Sequence, residues 1–169
     1  MAKAKNNKTV RFSTRMDLGK SVRAEMANLL NARLADVSDL YSQTKQAHWN
    51  VKGAQFIALH ELFDDLAAEL LDHADMIAER VTAMGGVALG TVRMAAAASS
   101  LPEFPADAFE GMAVVAALSD RYAAFGASVR AAIDTADQAG DKDTADLFTE
   151  VSRGVDKNLW FLEAHIQGS

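Results

Sequence analysis

The chain has 169 residues, half of them hydrophobic, enough for one domain with a substantial core, and prolines at 102 and 105 alone favour long helices over a sheet. With no cysteine, disulfides, zinc-thiolate sites and iron–sulfur clusters are excluded, and any metal must be held by His, Asp or Glu. Net charge is −6, yet residues 1–20 hold Lys3, Lys5, Lys8, Arg11, Arg15 and Lys20 against Asp17 alone, so this segment is +5 and the rest −11; such a basic arm on an acidic body suits nucleic acid for one and metal cations for the other.

Residues 1–16 carry little apolar periodicity and are expected to form a flexible basic tail, with the folded domain covering 17–169. From about Asp17 to Trp49, Val22, Met26, Leu29, Leu30, Leu34, Val37 and Tyr41 recur at helical spacing. Asn50 to Gly53 breaks that helix. A second runs from about Phe56 to Met84 and is stopped by Gly85-Gly86. The connection over 85–106 has room for a short helix near Val87–Ala98. Asp107 and Glu110 have the spacing of a capping box, which predicts a third long helix to about Ala136. Gly140 ends the next turn, and a fourth long helix is expected from Thr144 to His165. No apolar run is long enough for a membrane span, and the N-terminus lacks the apolar stretch of a secretory signal. A soluble, cytoplasmic protein is expected.

The loop lengths distinguish bundle types. Short links join the first two long helices and the last two, so each pair should be antiparallel. The connection between the second and third is long for a compact domain. It can return the chain along the bundle, which gives the single crossover of a ferritin-like, all-α four-helix bundle. An up-down bundle with a loose middle loop is the alternative.

The chemistry concentrates between His48 and Glu79. On the second helix His60 and Asp64 are four residues apart, as are Asp75 and Glu79, and all four lie on one stripe about 100° wide. Asp64 and Asp75, however, are separated by about 16 Å along the axis, whereas bonds from His or carboxylate to a metal are about 2 Å. The two pairs are therefore separate surface or core features, or they are joined by a second copy of the helix lying antiparallel across the first. A two-fold axis would bring His60 and Asp64 of one subunit against Asp75 and Glu79 of the other, and would create the site twice. His48, at the end of the first helix, completes such a set. Mixed nitrogen and oxygen ligands suit iron(II), and less selectively manganese or zinc. No Glu-x-x-His occurs, which argues against the usual intrasubunit di-iron centre of helix bundles. His73 points away from the stripe.

The runs Lys45-Gln46-Ala47-His48-Trp49-Asn50-Val51-Lys52-Gly53, Phe56-Ile57-Ala58-Leu59-His60-Glu61 with Asp64, and Asp72-His73-Ala74-Asp75-Met76-Ile77-Ala78-Glu79-Arg80 strongly resemble the Dps family, the miniferritins or DNA-binding proteins from starved cells. The similarity continues at Gly85-Gly86, Ala88-Leu89-Gly90, Ser152-Arg153, Asp156-Lys157 and Leu159 to Glu163. The resemblance implies a hollow dodecamer with ferroxidase centres at two-fold interfaces. His48, His60 and Asp64 would come from one subunit, Asp75 and Glu79 from its neighbour. It implies oxidation of iron(II), typically by hydrogen peroxide, and storage of the ferric product, which protects DNA from oxidative damage. It further implies an iron-entry pore near the start of the fourth long helix, for which Asp141 and Asp146 are the expected residues. Some members bind DNA through a basic tail, here Lys3, Lys5, Lys8, Arg11 and Arg15, which would associate the protein with the nucleoid. Trp49, an electron-rich ring beside His48, is a candidate radical scavenger. The other reading is a nucleoid-compacting, DNA-binding structural protein with little ferroxidase activity.

Overall fold

The computed structural model describes residues 10–168. Its helices are α1 (Lys20–Asn50), α2 (Phe56–Ala83), α3 (Val92–Ala98), α4 (Gly111–Gln138) and α5 (Lys142–Glu163). The four long helices form the bundle, and the short α3 lies in the crossover between α2 and α4, as the sequence predicts.

Cross-helix contacts give the directions. Lys52, just past α1, accepts a bridge to Glu110 at the start of α4. Thr44 Oγ1 lies 3.3 Å from Tyr122 Oη, and Arg33 donates to the Ser128 carbonyl, so α1 and α4 are antiparallel. Arg80 near the end of α2 meets Asp141 at the start of α5, while Glu69 meets Asn158, so α2 and α5 are antiparallel too. α4 consequently runs parallel to α2, the ferritin-like connectivity. The core between them is filled by Leu30, Leu40, Phe63, Leu70, Phe125 and Phe148, all fully buried.

A polar seam along α1 holds the crossover. Asn31 donates to the Val87 carbonyl and accepts from the Leu89 amide at 2.8 Å. Asp36 accepts from the amide and hydroxyl of Ser100, Asp39 from the Ser99 hydroxyl, and Gln43 donates to the Pro102 carbonyl. From α4, Arg121 adds a bond to the Glu103 carbonyl. A long loop that would otherwise carry unpaired backbone groups is thereby satisfied group by group.

Three sequence expectations change. The cap of α4 is Glu110 itself, whose carboxylate accepts from the Ala113 amide at 3.0 Å; Asp107 lies in the preceding turn. The Lys52 amide bonds the Phe109 carbonyl at 2.8 Å, which keeps this stretch extended until residue 110. Secondly, part of the segment expected as tail is packed: Arg11 and Phe12 donate their amides to the Gly85 carbonyl, and Val10 bridges to Gly86. Gly85 has φ +80°, and a Cβ there would lie 2.3 Å from the Phe12 carbonyl oxygen, so only glycine admits this docking. Lys3, Lys5 and Lys8 lie outside the described residues. Thirdly, Asp141, expected at a pore, is only 2% exposed. It caps α5, accepting from the amide and hydroxyl of Thr144, and pairs with Arg80 at 2.7 Å. Within one chain both oxygens of Asp141 are thus taken up by the cap and the guanidinium. Asp141→Ala removes the cap and leaves Arg80 only the exposed Asp143 as an ion-pair partner, so unfolding free energy should fall by about 3 kcal/mol; urea titration measures it.

Candidate metal centre

The short link between α1 and α2 places His48 against His60. Their rings stack at 3.8 Å between centroids, 19° from parallel. Each ring is fixed by the other's backbone: His48 Nδ1 donates to the His60 carbonyl at 2.7 Å, and His60 Nδ1 to the His48 carbonyl at 2.9 Å. A carbonyl only accepts, so both Nδ1 atoms carry a proton, and in the neutral form of either ring Nε2 is the nitrogen with a bare lone pair. Histidines that ligate metals are commonly held in this way, with the second nitrogen bonded to a carbonyl or carboxylate.

Asp64 stands one turn beyond His60 and is exposed. Lys45 reaches it from α1, Nζ to Oδ1 at 2.5 Å. That hydrogen bond holds the Asp64 carboxyl below the usual carboxylate range; desolvation opposes it, and the charge of Lys45, then those of His48 and His60 when protonated, act in the same direction as the bond. A depressed carboxyl pKa keeps its charged contacts intact above the ordinary carboxylate range and loses them only as pH falls through the depressed value. Asp64 is therefore anionic throughout the neutral region. Lys45 was not among the residues expected at the site. It shares a face with His48 three residues on, but its reach to Asp64 depends on the register of the α1–α2 hairpin. Lys45 Nζ also sits 5.9 Å from the ring centre of Trp49, which is 63% exposed.

His48 and His60 are thus brought together in one chain, with Asp64 one helical turn from His60 and within the field of both rings. Asp75 and Glu79 are exposed further along α2 and do not join them. Among the described residues no three His, Asp or Glu of a single chain converge to hold a metal. The stripe that carries the two pairs is not a polar one. Ile57, 60% exposed, and Leu71, 49% exposed, fall within the same sector of α2 as Asp64 and Asp75, at about 100° per residue. Two large apolar side chains are thus interleaved with the carboxylates on this exposed face.

At the other end of α2, Glu79 borders an open groove with Asp143, Asp146 and Glu150 of α5. Asp143 is 3.7 Å from Arg80, whereas Asp137 pairs with Lys142. His73, as expected, lies off the stripe; it is buried against α5, and that burial lowers its pKa against the opposing fields of Glu69, Asp72 and Glu150. His165 follows α5 and bonds the Phe161 carbonyl at 2.7 Å.

Residues 27–168 match the model of the ferritin-like domain family. A DNA protection during starvation protein from Agrobacterium fabrum is 47% identical over 154 residues, spanning 91% of this chain and 95% of that protein. The chain belongs to the Dps family. Among solved structures, an archaeal Dps homologue from Halobacterium salinarum superposes with a TM-score of 0.89 at 27% identity, covering 99% of this chain and 93% of that one. Dps from Vibrio cholerae, described as a member of a broad superfamily of ferritin-like diiron-carboxylate proteins, gives 0.85 at 25% identity, with 91% and 96% covered. The helix order and the crossover helix of this chain are those of Dps proteins. No helix among the described residues is long and apolar enough to cross a membrane.

Lys45→Met should return the Asp64 carboxyl toward its ordinary pKa of about 3.9, read from the pH titration of its ¹³C carboxyl shift. An unchanged midpoint would show that the histidines, not Lys45, set it.

Proposed function

We propose that this Dps protein is a ferroxidase and iron store whose active sites are shared between two-fold-related copies. The observation that carries the reading is the reciprocal pair of hydrogen bonds between His48 and His60, which commits both Nδ1 atoms to the backbone and leaves each Nε2 as the nitrogen available to a metal, with the anionic Asp64 one turn from His60. Three ligands are prepared in one chain, and two carboxylates, Asp75 and Glu79, are left over on the same stripe. An antiparallel copy of α2 supplies the missing pair to each half and covers Ile57 and Leu71 as it does so. Iron(II) is the substrate. On arrival it competes with the Lys45 ammonium for Asp64, a contact in water-exposed surroundings that is weak enough to exchange. Two iron(II) ions each give one electron to hydrogen peroxide; with two protons the O–O bond is cleaved to two waters. Ferric iron is then stored in the cavity of a dodecamer, and both reactants of hydroxyl-radical chemistry are removed. Trp49, exposed beside Lys45, is placed to give an electron to a stray oxidant.

Subunit sharing has a sharp test. One variant carries His60→Ala and Asp64→Ala, the other Asp75→Ala and Glu79→Ala. Each alone should be inactive. In a mixed dimer one of the two sites carries all four substitutions and the other is intact, so co-refolding the two with random pairing should recover about a quarter of the wild-type rate. No recovery would place all five ligands within one chain.

Asp146 is exposed on the first turns of α5, in the groove that Glu79 borders, and is our choice for the iron-entry path. Asp146→Asn should slow iron(II) uptake by several-fold, on the order of what losing one charge from a steering field does, in stopped-flow oxidation assays; an unaltered rate removes the role.

DNA contact by the basic N-terminal segment is the remaining part of the proposal, and it places the protein with the nucleoid in the cytoplasm. Its support is the charge of +5 over residues 1–20, multiplied by the copies in an assembly, and the DNA-protection names of the relatives. Arg11 and Arg15 would present their charges at the end of the bundle where α1 begins. Binding should be indifferent to sequence and lost steeply with salt. A gel shift at low salt for the full chain and none after deletion of residues 1–9 is the expected result; no shift for either would leave ferroxidase activity without DNA binding.

A further inference from the structure

The end of the bundle where α1 begins carries a groove of about 320 Å³ whose charged lining is of one sign. Arg11, Lys20 and Arg23 border it with Val10, Phe12 and Ser13, and among the described residues no carboxylate does. Residues 10–13 and the start of α1 form its walls, and both are hooked to the turn that follows α2. The amides of Arg11 and Phe12 bond the Gly85 carbonyl at 2.8 and 3.0 Å, and Arg23 Nη1 donates to the Met84 carbonyl at 2.9 Å. Arg23 Nε donates to the Leu18 carbonyl at 3.1 Å, so the guanidinium is held from two directions while its Nη2 enters neither bond. Among the described residues neither Lys20 nor Arg23 pairs with a carboxylate. Asp17, the nearest acid along the chain to Lys20, borders the adjoining groove with Asp141 and Asp143. Lys20 and Arg23 also occupy the first turn of α1, which contains no acid. The field at the start of a helix favours carboxylates and disfavours bases, so this placement works against stability. Placement that local rules oppose is characteristic of functional sites.

We propose that this groove seats a phosphate group, held by Arg11, Lys20 and Arg23 and presented by a nucleic-acid backbone or by free orthophosphate. Guanidinium N–H groups match the spacing of two phosphate oxygens, and an ammonium adds a point charge with three donors. Arg23 is fixed before the anion arrives, so little of its side-chain freedom is left to lose on binding. Ser13, at the rim, adds a hydroxyl able to donate to a further oxygen. The seat is built from residues 10–23 of the folded chain and needs none of the first nine. It does not depend on the shared ferroxidase site. Its nucleic-acid form rests on the DNA contact proposed for this segment, whereas its orthophosphate form does not.

Orthophosphate is the first probe, titrated calorimetrically into the iron-free full-length protein, with chloride making up a constant ionic strength. Saturable binding of about one phosphate per chain is expected, one groove in each subunit. Lys20→Glu should weaken it by about tenfold or more, because it turns an attraction at the anion into a repulsion, and Lys20→Arg should retain it. Lys20 is exposed at the first position of α1, so neither change disturbs the core. A DNA duplex of arbitrary sequence is the second probe. If a backbone phosphate occupies the seat, Lys20→Gln lowers the slope of log K against log salt by about one. If that slope stays while Lys20→Glu loses orthophosphate, the seat belongs to free phosphate. Absence of saturable orthophosphate binding overturns the proposal, and so does binding that Lys20→Glu leaves unchanged, whatever the duplex does. Failure of the duplex to bind at all removes the DNA contact and leaves the orthophosphate titration to decide the seat.

Discussion

Two hydrogen bonds between the end of α1 and the start of α2 do more for this protein than their number suggests. The Nδ1 of His48 bonds the carbonyl of His60, and the Nδ1 of His60 bonds the carbonyl of His48. Backbone and ring are locked to one another across a link of a few residues. The same bonds set the tautomer, the stacking of the rings and the register of the hairpin. That register then lets Lys45 on α1 reach Asp64 on α2. Because each Nδ1 is already committed to a carbonyl, the fold itself fixes the tautomer and orientation of both rings.

α2 divides its circumference among three tasks. At about 100° per residue, Leu59, Phe63, Leu66, Leu70, Ile77 and Val81 occupy one sector and are buried in the core. Glu69, His73 and Arg80 occupy the next and face α5. His60, Asp64, Asp75 and Glu79, with Ile57 and Leu71, hold the third. A helix with only one apolar stripe would leave the last sector to water. Here the third sector has apolar residues of its own, so the fold of one chain satisfies two sectors and leaves one for another molecule.

Much of this was legible from spacing. Helical periodicity located the four long helices, the loop lengths gave the crossover, and the rise of a helix was enough to show that Asp64 and Asp75 cannot meet on one ion. What escaped was decided by contacts between distant segments. Asp107 and Glu110 both satisfy the local rule for a helix start, and only the Lys52–Phe109 bond selects Glu110. Asp141 looked like one of several acids in a turn until Arg80, 61 residues earlier, claimed it. The seam of Asn31, Asp36, Asp39 and Gln43 had a signal that could have been found: polar side chains on an otherwise apolar helix, opposite a long connection whose backbone needs partners. Docking of Val10 and Phe12 had a weaker one, a Gly-Gly pair after a helix that reads equally well as a simple stop.

The pairing of Arg80 with Asp141 also bears on the shared centre. Arg80 is next to Glu79 in sequence, and an arginine free to swing would neutralise that carboxylate or repel an arriving cation. Its position about 100° round the helix from Glu79, and its bonds to Asp141 and Thr144 on α5, hold the guanidinium against α5, where with Asp143 it lines the groove that Glu79 borders. Lys45 is the opposite case, a cation laid directly on a ligand but at the exposed surface, where exchange is easy. The two bases nearest the proposed ligand set are thus handled in two ways: Arg80 is held by the buried Asp141 in the contact that also caps α5, and Lys45 lies directly on Asp64 at the exposed surface, where exchange is easy.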